Sequence, residues 1–240
     1  MRRTDYKASE RAHETSTGMI NPVFEIGRLC KKYGKLLFVD CVSAAAGEHI
    51  DVVQNNIAVC TSVGGKCLGA FPGSAYVCAR KDVLDHLTAD QCKSVYLSLY
   101  KHYQCAITSR QTPNTPNVTL FWSLNFALTN VLEEETLEGR IARYQRCASI
   151  IRNGLRSLGL RMLLDEHLSN TVTSVFLPEG VDAGASIAAM EEKGYTFYLG
   201  KGDYAKHGMI QIANMGEIYE QDCHAMLEAF RLTLADMAKA

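Results

Sequence analysis

The sequence predicts an α/β fold: a mostly parallel sheet with helices, followed by a small C-terminal α+β unit. Three observations carry that reading. Short apolar runs of strand length alternate with segments of helical period. The first runs are apolar throughout, as in strands buried on both faces of a parallel sheet, and lack the strict alternation of a half-solvated one. From residue 171 the order changes to strand, helix, strand, strand, helix, which builds a second layer.

The elements follow in order. Val23 to Tyr33 has apolar residues at 23, 26, 29 and 30, a helical period, and Gly34 follows as a stop signal. Leu36–Asp40 is a short apolar run ending in an acid and reads as a buried parallel strand. Ile57–Ser62 and Ser74–Ala79 are two more such runs, the last entered through Pro72-Gly73. Residues 108–117 hold two prolines and two asparagines and read as a loop. A long helical segment is expected from Val118 to about Leu158, broken near Gly139. Its acids Glu133, Glu134, Glu135 and Glu138 come early, and Arg140, Arg143, Arg146, Arg152 and Arg156 come later. That order suits a helix dipole, and the simple expectation is a solvated charged face. The remaining pieces are strands at Thr171–Leu177, Thr196–Leu199 and Met209–Ala213 and helices at Ala183–Lys193 and Gln221–Met237. The division between two units is expected near residue 138, giving 1–138 and 139–240. The first eleven residues read as neither an evident strand nor a helix.

Composition narrows the function. The chain has 240 residues, a net charge of −1, 47% hydrophobic and 21% charged residues, so it is long enough for a sizeable core. Near-zero net charge gives no electrostatic case for a nucleic-acid partner. No apolar stretch approaches the ~20 residues needed to cross a bilayer, so no membrane partner is expected. The nine cysteines are odd in number and show no C-x-x-C spacing. Most lie in apolar runs and read as small core hydrophobes, and a reducing, cytoplasmic compartment is expected. The N-terminus is basic but lacks the apolar core of a secretory signal.

In open α/β sheets, ligands bind beyond the carboxyl ends of strands. Asp40 ends one strand and Ser43 follows it; Ser62 ends another, and Lys66 follows within Ser62-Val-Gly-Gly-Lys-Cys-Leu-Gly. The turn Glu14-Thr-Ser-Thr-Gly18 precedes the first helix. Singly, a strand-end Asp reads as a cap, and a Lys after two glycines as a solvated side chain. Gly-Gly-Lys is no phosphate-binding P-loop, because Cys67 stands where Ser or Thr is required. No Gly-x-Ser-x-Gly elbow is present, and the seven histidines show no metal-ligand spacing. His13 and His49 read as structural. Together, an acid and a lysine on adjacent strand ends match the needs of pyridoxal phosphate. The lysine condenses with the aldehyde, and the acid keeps the pyridinium nitrogen protonated.

Several ordered motifs resemble the class V, fold type I aminotransferases. They are His13-Glu-Thr-Ser-Thr-Gly-Met-Ile-Asn-Pro22, Val39-Asp40 with Ser43, Ser62 with Lys66, and Phe71-Pro-Gly73. Lys66 lies 26 residues after Asp40, the family's usual spacing in its alanine–glyoxylate and 2-aminoethylphosphonate branches. Gly200-Lys-Gly202 and Ile210-Gln-Ile-Ala-Asn-Met-Gly216 most resemble the 2-aminoethylphosphonate–pyruvate branch. The resemblance implies part of the family's large cofactor domain followed by its small domain. It implies Lys66 as Schiff-base lysine and proton shuttle, and Asp40 at the pyridinium nitrogen. Thr15 would bond the ring's phenolic oxygen, and Ser43 and Ser62 would line the pocket. Thr115 would reach the phosphate of a neighbouring subunit, since the family site forms between the two chains of a homodimer.

Two departures shape the expected chemistry. The family has an arginine where this chain has Gln211, and glutamine cannot supply a bidentate, charge-assisted grip on an α-carboxylate. That disfavours ordinary amino acids and favours an amine such as 2-aminoethylphosphonate, with a keto acid such as pyruvate as acceptor. The family also places over a hundred residues before the Glu-Thr-Ser-Thr-Gly turn, including a phosphate cup. A chain without them is expected to leave apolar surface uncovered. The alternatives are an alanine–glyoxylate or serine–pyruvate exchange, or a non-catalytic remnant serving as an interaction module.

Overall fold

The computed structural model describes residues 7–238. Its first part comprises β1 (Lys7–Arg11), β2 (His13–Glu14), β3 (Met19–Ile20), α1 (Val23–Lys32), β4 (Leu36–Asp40), β5 (Ile57–Val63) and β6 (Ala75–Ala79). Helices α2 (Lys81–Asp85), α3 (Leu99–Ser109) and α4 (Val118–Thr129) follow, with a 3-10 turn at Ala89–Gln91 between α2 and α3. A π-helical turn at Asn130–Glu134 then leads into α5 (Leu137–Ser157). The last part holds β7 (Arg161–Met162), β8 (Val172–Phe176), α6 (Ala183–Glu191), β9 (Tyr198–Leu199), α7 (Asp203–Lys206), β10 (Met209–Ala213) and α8 (Glu220–Met237).

One sheet has the order β1-β4-β5-β6. β1, β4 and β5 run parallel, as a mostly parallel α/β sheet requires. Leu37 and Val39 alternate into its core beside Val23, Cys30, Ile57 and Cys60. On α1 the buried residues Val23, Gly27 and Cys30 recur at helical spacing. Gly27 is dictated by space: a Cβ there would lie 1.9 Å from the backbone oxygen of Asn55.

Two expectations need correction here. Lys7–Arg11 is a strand after all, in register with Leu36–Asp40. It escapes a hydrophobic-pattern reading because it is the outermost strand among the described residues and exposes Ser9 and Arg11. Residues 1–6 of that segment lie outside the described residues. β6 pairs antiparallel with β5. The short connection between them holds a turn and no helix, whereas a parallel return needs a crossover of a dozen or more residues. The long helix breaks near Gly139 as expected, at the π-turn and at Thr136, whose φ is +66° and which stands three residues before that glycine. Thr136 Oγ1 then accepts from Gly139 N at 3.0 Å and caps α5.

The second sheet is antiparallel, with order β7-β8-β10-β9. Helices α5, α6 and α8 pack on one face, with Val175, Ile210 and Ile212 meeting Ile151, Leu155, Met190 and Phe230. The Phe197 and Phe230 rings meet edge to face, centroids 5.3 Å apart. Because side chains alternate along a strand, Ser174 and Gln211 point to the opposite face, toward the 14–18 turn. Among the described residues no helix is long and apolar enough to cross a membrane.

Candidate active site

β4 and β5 are parallel neighbours, so their carboxyl ends open on one edge. Asp40 closes β4, half-buried, and its Oδ1 accepts from Val42 N at 2.9 Å. That turn leads the chain away from the edge and leaves the carboxylate's second oxygen for another donor. β5 passes at Val63 into a tight turn closed by Gly69 N to Lys66 O at 2.9 Å and Ala70 N to Gly64 O at 3.0 Å. Gly65 fits because a Cβ there would lie 2.7 Å from Pro72 Cα. Lys66 is exposed and makes no ion pair among the described residues, while Cys67 and Leu68 beside it are buried. Burial pushes the Cys67 thiol up to about 12.

The 12–18 segment folds over this edge. His13 is buried; its Nδ1 donates to Ser43 O at 2.9 Å, and its Nε2 is buried without a protein partner. Burial is the main cause lowering its pKa below the usual value, and the Lys66 charge adds to it, so the ring is neutral at pH 7. Cys67 Sγ also reaches Ser43 O, at 3.6 Å, which sets the Lys66 turn against the turn after β4. Ser62 is buried and donates to Cys41 O at 3.2 Å, bracing β5 against the end of β4.

Thr15 is exposed on its turn, and its carbonyl accepts from Gln211 Nε2 at 2.8 Å. The same amide donates to Ser174 Oγ at 3.0 Å. The structure therefore brings Asp40, Ser43, Ser62 and Lys66 to one edge and ties Thr15 to Gln211 across it. Thr115 is not gathered with them; it stands exposed in the loop between α3 and α4.

The arginine run is the largest correction to the sequence reading. Arg140, Arg143 and Arg152 are buried, not spread on a solvated face. Glu135 receives Arg140 Nε and Arg143 Nε, both at 2.6 Å. These guanidinium groups help draw the Glu135 carboxyl below its usual range, against the opposing effect of burial. Only Arg146 and Arg156 are solvent-facing, with Glu220 and Asp165 as partners. Two further polar residues gave no motif signal. Glu48 is buried and accepts from Asn170 N at 2.6 Å and from Asn170 Nδ2 at 2.8 Å, joining the turn after β4 to the loop before β8. Burial raises its carboxyl to about 7, against the pull of the Asn170 N–H and the Arg152 charge. Burial in turn pushes Arg152 down to about 10, still charged at neutral pH.

The arrangement offers an acid, a primary amine with no acidic partner among the described residues, and a buried imidazole nitrogen without a protein partner, on one sheet edge. That donor set fits a pyridine ring carrying an aldehyde. A family model described as Aminotransferase class-V matches residues 8–201. The chain belongs to the class V aminotransferase family. Pyridoxal phosphate is that family's cofactor. The chain is 35% identical to an uncharacterized aminotransferase of Methanocaldococcus jannaschii, over 97% of this chain and 61% of the relative. It is 33% identical to a 2-aminoethylphosphonate–pyruvate transaminase of Salmonella schwarzengrund, over 92% of this chain and 60% of that protein. Among solved structures, a pyridoxamine–pyruvate aminotransferase from Mesorhizobium loti superposes with a TM-score of 0.87 at 27% identity, covering 97% of this chain and 60% of that one. The chain thus spans about 60% of the length of the relatives it matches.

Proposed function

We propose that this chain carries the cofactor edge of a pyridoxal-phosphate aminotransferase that moves an amino group from 2-aminoethylphosphonate, or a similar amine, to pyruvate. The observation that carries the reading is Asp40 and Lys66 at the carboxyl ends of adjacent parallel strands. The bound cofactor supplies an aldehyde for condensation with amines and a ring that accepts the electron pair left by proton removal. Asp40 holds the proton on the ring nitrogen through its carboxylate. Lys66 would hold the cofactor through its amine and, when that amine is free, would take and return a proton as the general base. Thr15 offers its hydroxyl to the ring's phenolic oxygen, and Ser43 and Ser62 shape the floor. Thr115 serves the phosphate of a second copy in a homodimer, and the fold divides near residue 138 into a cofactor unit and a smaller C-terminal unit.

Gln211 supports the donor class. Its amide is already engaged by Thr15 O and Ser174 Oγ and bears no charge for an α-carboxylate. The similarity to the Salmonella transaminase points the same way.

The test is a visible spectrum of the purified chain with added pyridoxal phosphate, beside Lys66→Ala. A band that depends on Lys66 and bleaches on adding 2-aminoethylphosphonate is expected. Lys66→Ala is expected to lower turnover by about 10^4-fold or more. A wild-type spectrum identical to that of Lys66→Ala would sink the reading.

A further inference from the structure

We propose that Arg140 and Tyr144 are positioning residues that hold the backbone of the Lys66 turn still while the lysine side chain moves. The role rests on Lys66 being the amine that joins the cofactor. The two residues stand four apart on α5 and so share one helix face. Arg140 Nη1 donates to Cys67 O at 3.2 Å and to Leu68 O at 2.8 Å. Tyr144 is fully buried, and its hydroxyl donates to Cys67 O at 3.2 Å. The backbone bonds that close the turn use the carbonyls of Gly64 and Lys66. Those of Cys67 and Leu68, the two residues directly after the lysine, are met by α5 side chains instead. Buried carbonyls need such partners.

The donors are themselves held. Arg140 Nε bonds Glu135 at 2.6 Å, and Nη2 bonds Asn130 Oδ1 at 2.6 Å, so every guanidinium nitrogen is engaged. The Tyr144 hydroxyl also accepts from Gly216 N at 3.2 Å. Arg143, one helical turn along, ties Glu135 to the carbonyls of Gly216 and Ile218 at 2.8 and 2.9 Å. The π-turn, α5, the 214–218 loop and the Lys66 turn form one polar network. Within it the lysine's neighbours Cys67 and Leu68 are buried and hydrogen-bonded, yet Lys66 itself is exposed. An amine that forms and releases a bond in every cycle needs that combination: a fixed Cα and a free arm.

The test uses the full chain with Tyr144→Phe, Arg140→Gln and Arg140→Lys. Ile151→Val on the same helix serves as a control for general destabilisation. Three readouts are taken: the rate at which the Lys66-dependent visible band appears on mixing with pyridoxal phosphate, amide hydrogen exchange in residues 64–70, and the rate of Lys66 acylation by an amine-reactive ester without cofactor. Tyr144→Phe and Arg140→Gln are expected to change band formation and speed exchange in 64–70 by about tenfold, the size of one lost hydrogen bond. Arg140→Lys should recover part of both, and Ile151→Val should change neither. Variants that track Ile151→Val in all three readouts would overturn the proposal. A wild-type chain with no Lys66-dependent band would overturn the cofactor reading instead. Exchange and acylation, which need no cofactor, would then decide the positioning role.

Discussion

β8 is buried along its whole length, whereas β6, in the other sheet, exposes Ala75, Val77 and Cys78. The contrast extends to the helices. α5, α6 and α8 close over the C-terminal sheet with a continuous apolar core. Near the first sheet, α4 leaves Trp122 73% and Phe126 68% exposed. The motif residues Asp40 and Lys66 stand in the less covered region, yet the groups that anchor the Lys66 turn come from α5, which packs on the well-covered one. The candidate site lies on a seam, with its motif residues on one side and the groups that bond the Lys66 turn on the other.

The contrast predicts unequal costs for removing apolar groups. Phe230→Ala should destabilise by about 3–5 kcal/mol, because a fully buried ring leaves a cavity in the packed layer. Chemical denaturation that found less than 1 kcal/mol would show that layer to be loosely packed. A pH-dependent cost comes next, at Glu48, which joins the two sides. Its folded pKa is raised to about 7, so the folded chain holds a proton that the unfolded chain has already released above about pH 4.5. Stability therefore falls between about pH 4.5 and 7, by up to about 3 kcal/mol. Glu48→Gln should flatten that slope, and melting curves of the two proteins that stay parallel across this range would refute the assignment.

Glycine contacts sharpen the comparison at smaller amplitude. Gly154→Ala would press on the flexible end of Leu227, where α5 meets α8, and Gly27→Ala would press on the Asn55 backbone. Both should cost about 1–3 kcal/mol, with Gly27→Ala the larger because backbone yields less than a side-chain tip. The smallest effect is expected at the exposed ring. Trp122→Ala should stay within about 0.5 kcal/mol in the isolated chain. A loss comparable to that at Phe230 would mean the indole is covered in solution, and sedimentation would then be the next measurement.

Local pattern made much of this legible. The apolar run at Leu36–Asp40, the helical period of Val23–Lys32 and the strand at Met209–Ala213 were readable because each buries a face with its own periodicity. Chain order and spacing singled out Asp40 and Lys66, and the structure sets both at the carboxyl ends of neighbouring parallel strands. β1 was not, since a strand with exposed polar side chains is fixed by backbone pairing with β4, a contact that hydropathy does not record. Arg140 and Arg143 were misread for a related reason. Burying a guanidinium requires a shared acid and carbonyls distant in sequence, and only the tertiary structure shows that Glu135, Leu68 and Gly216 converge there. The spacing of Arg140 and Tyr144, one turn apart, was the available signal, and it becomes informative once the apolar stripe of α5 is assigned.

Burial at Cys67 has a chemical consequence. An aldehyde brought to this edge would meet two adjacent nucleophiles, the amine at 66 and the thiol at 67. A thiolate there would compete for the carbonyl carbon as a sulfur adduct. With its thiol raised to about 12 and its side chain enclosed, Cys67 stays protonated and out of reach at neutral pH. The same enclosure keeps reagents in solution from Cys67, whereas Cys78 on β6 is exposed.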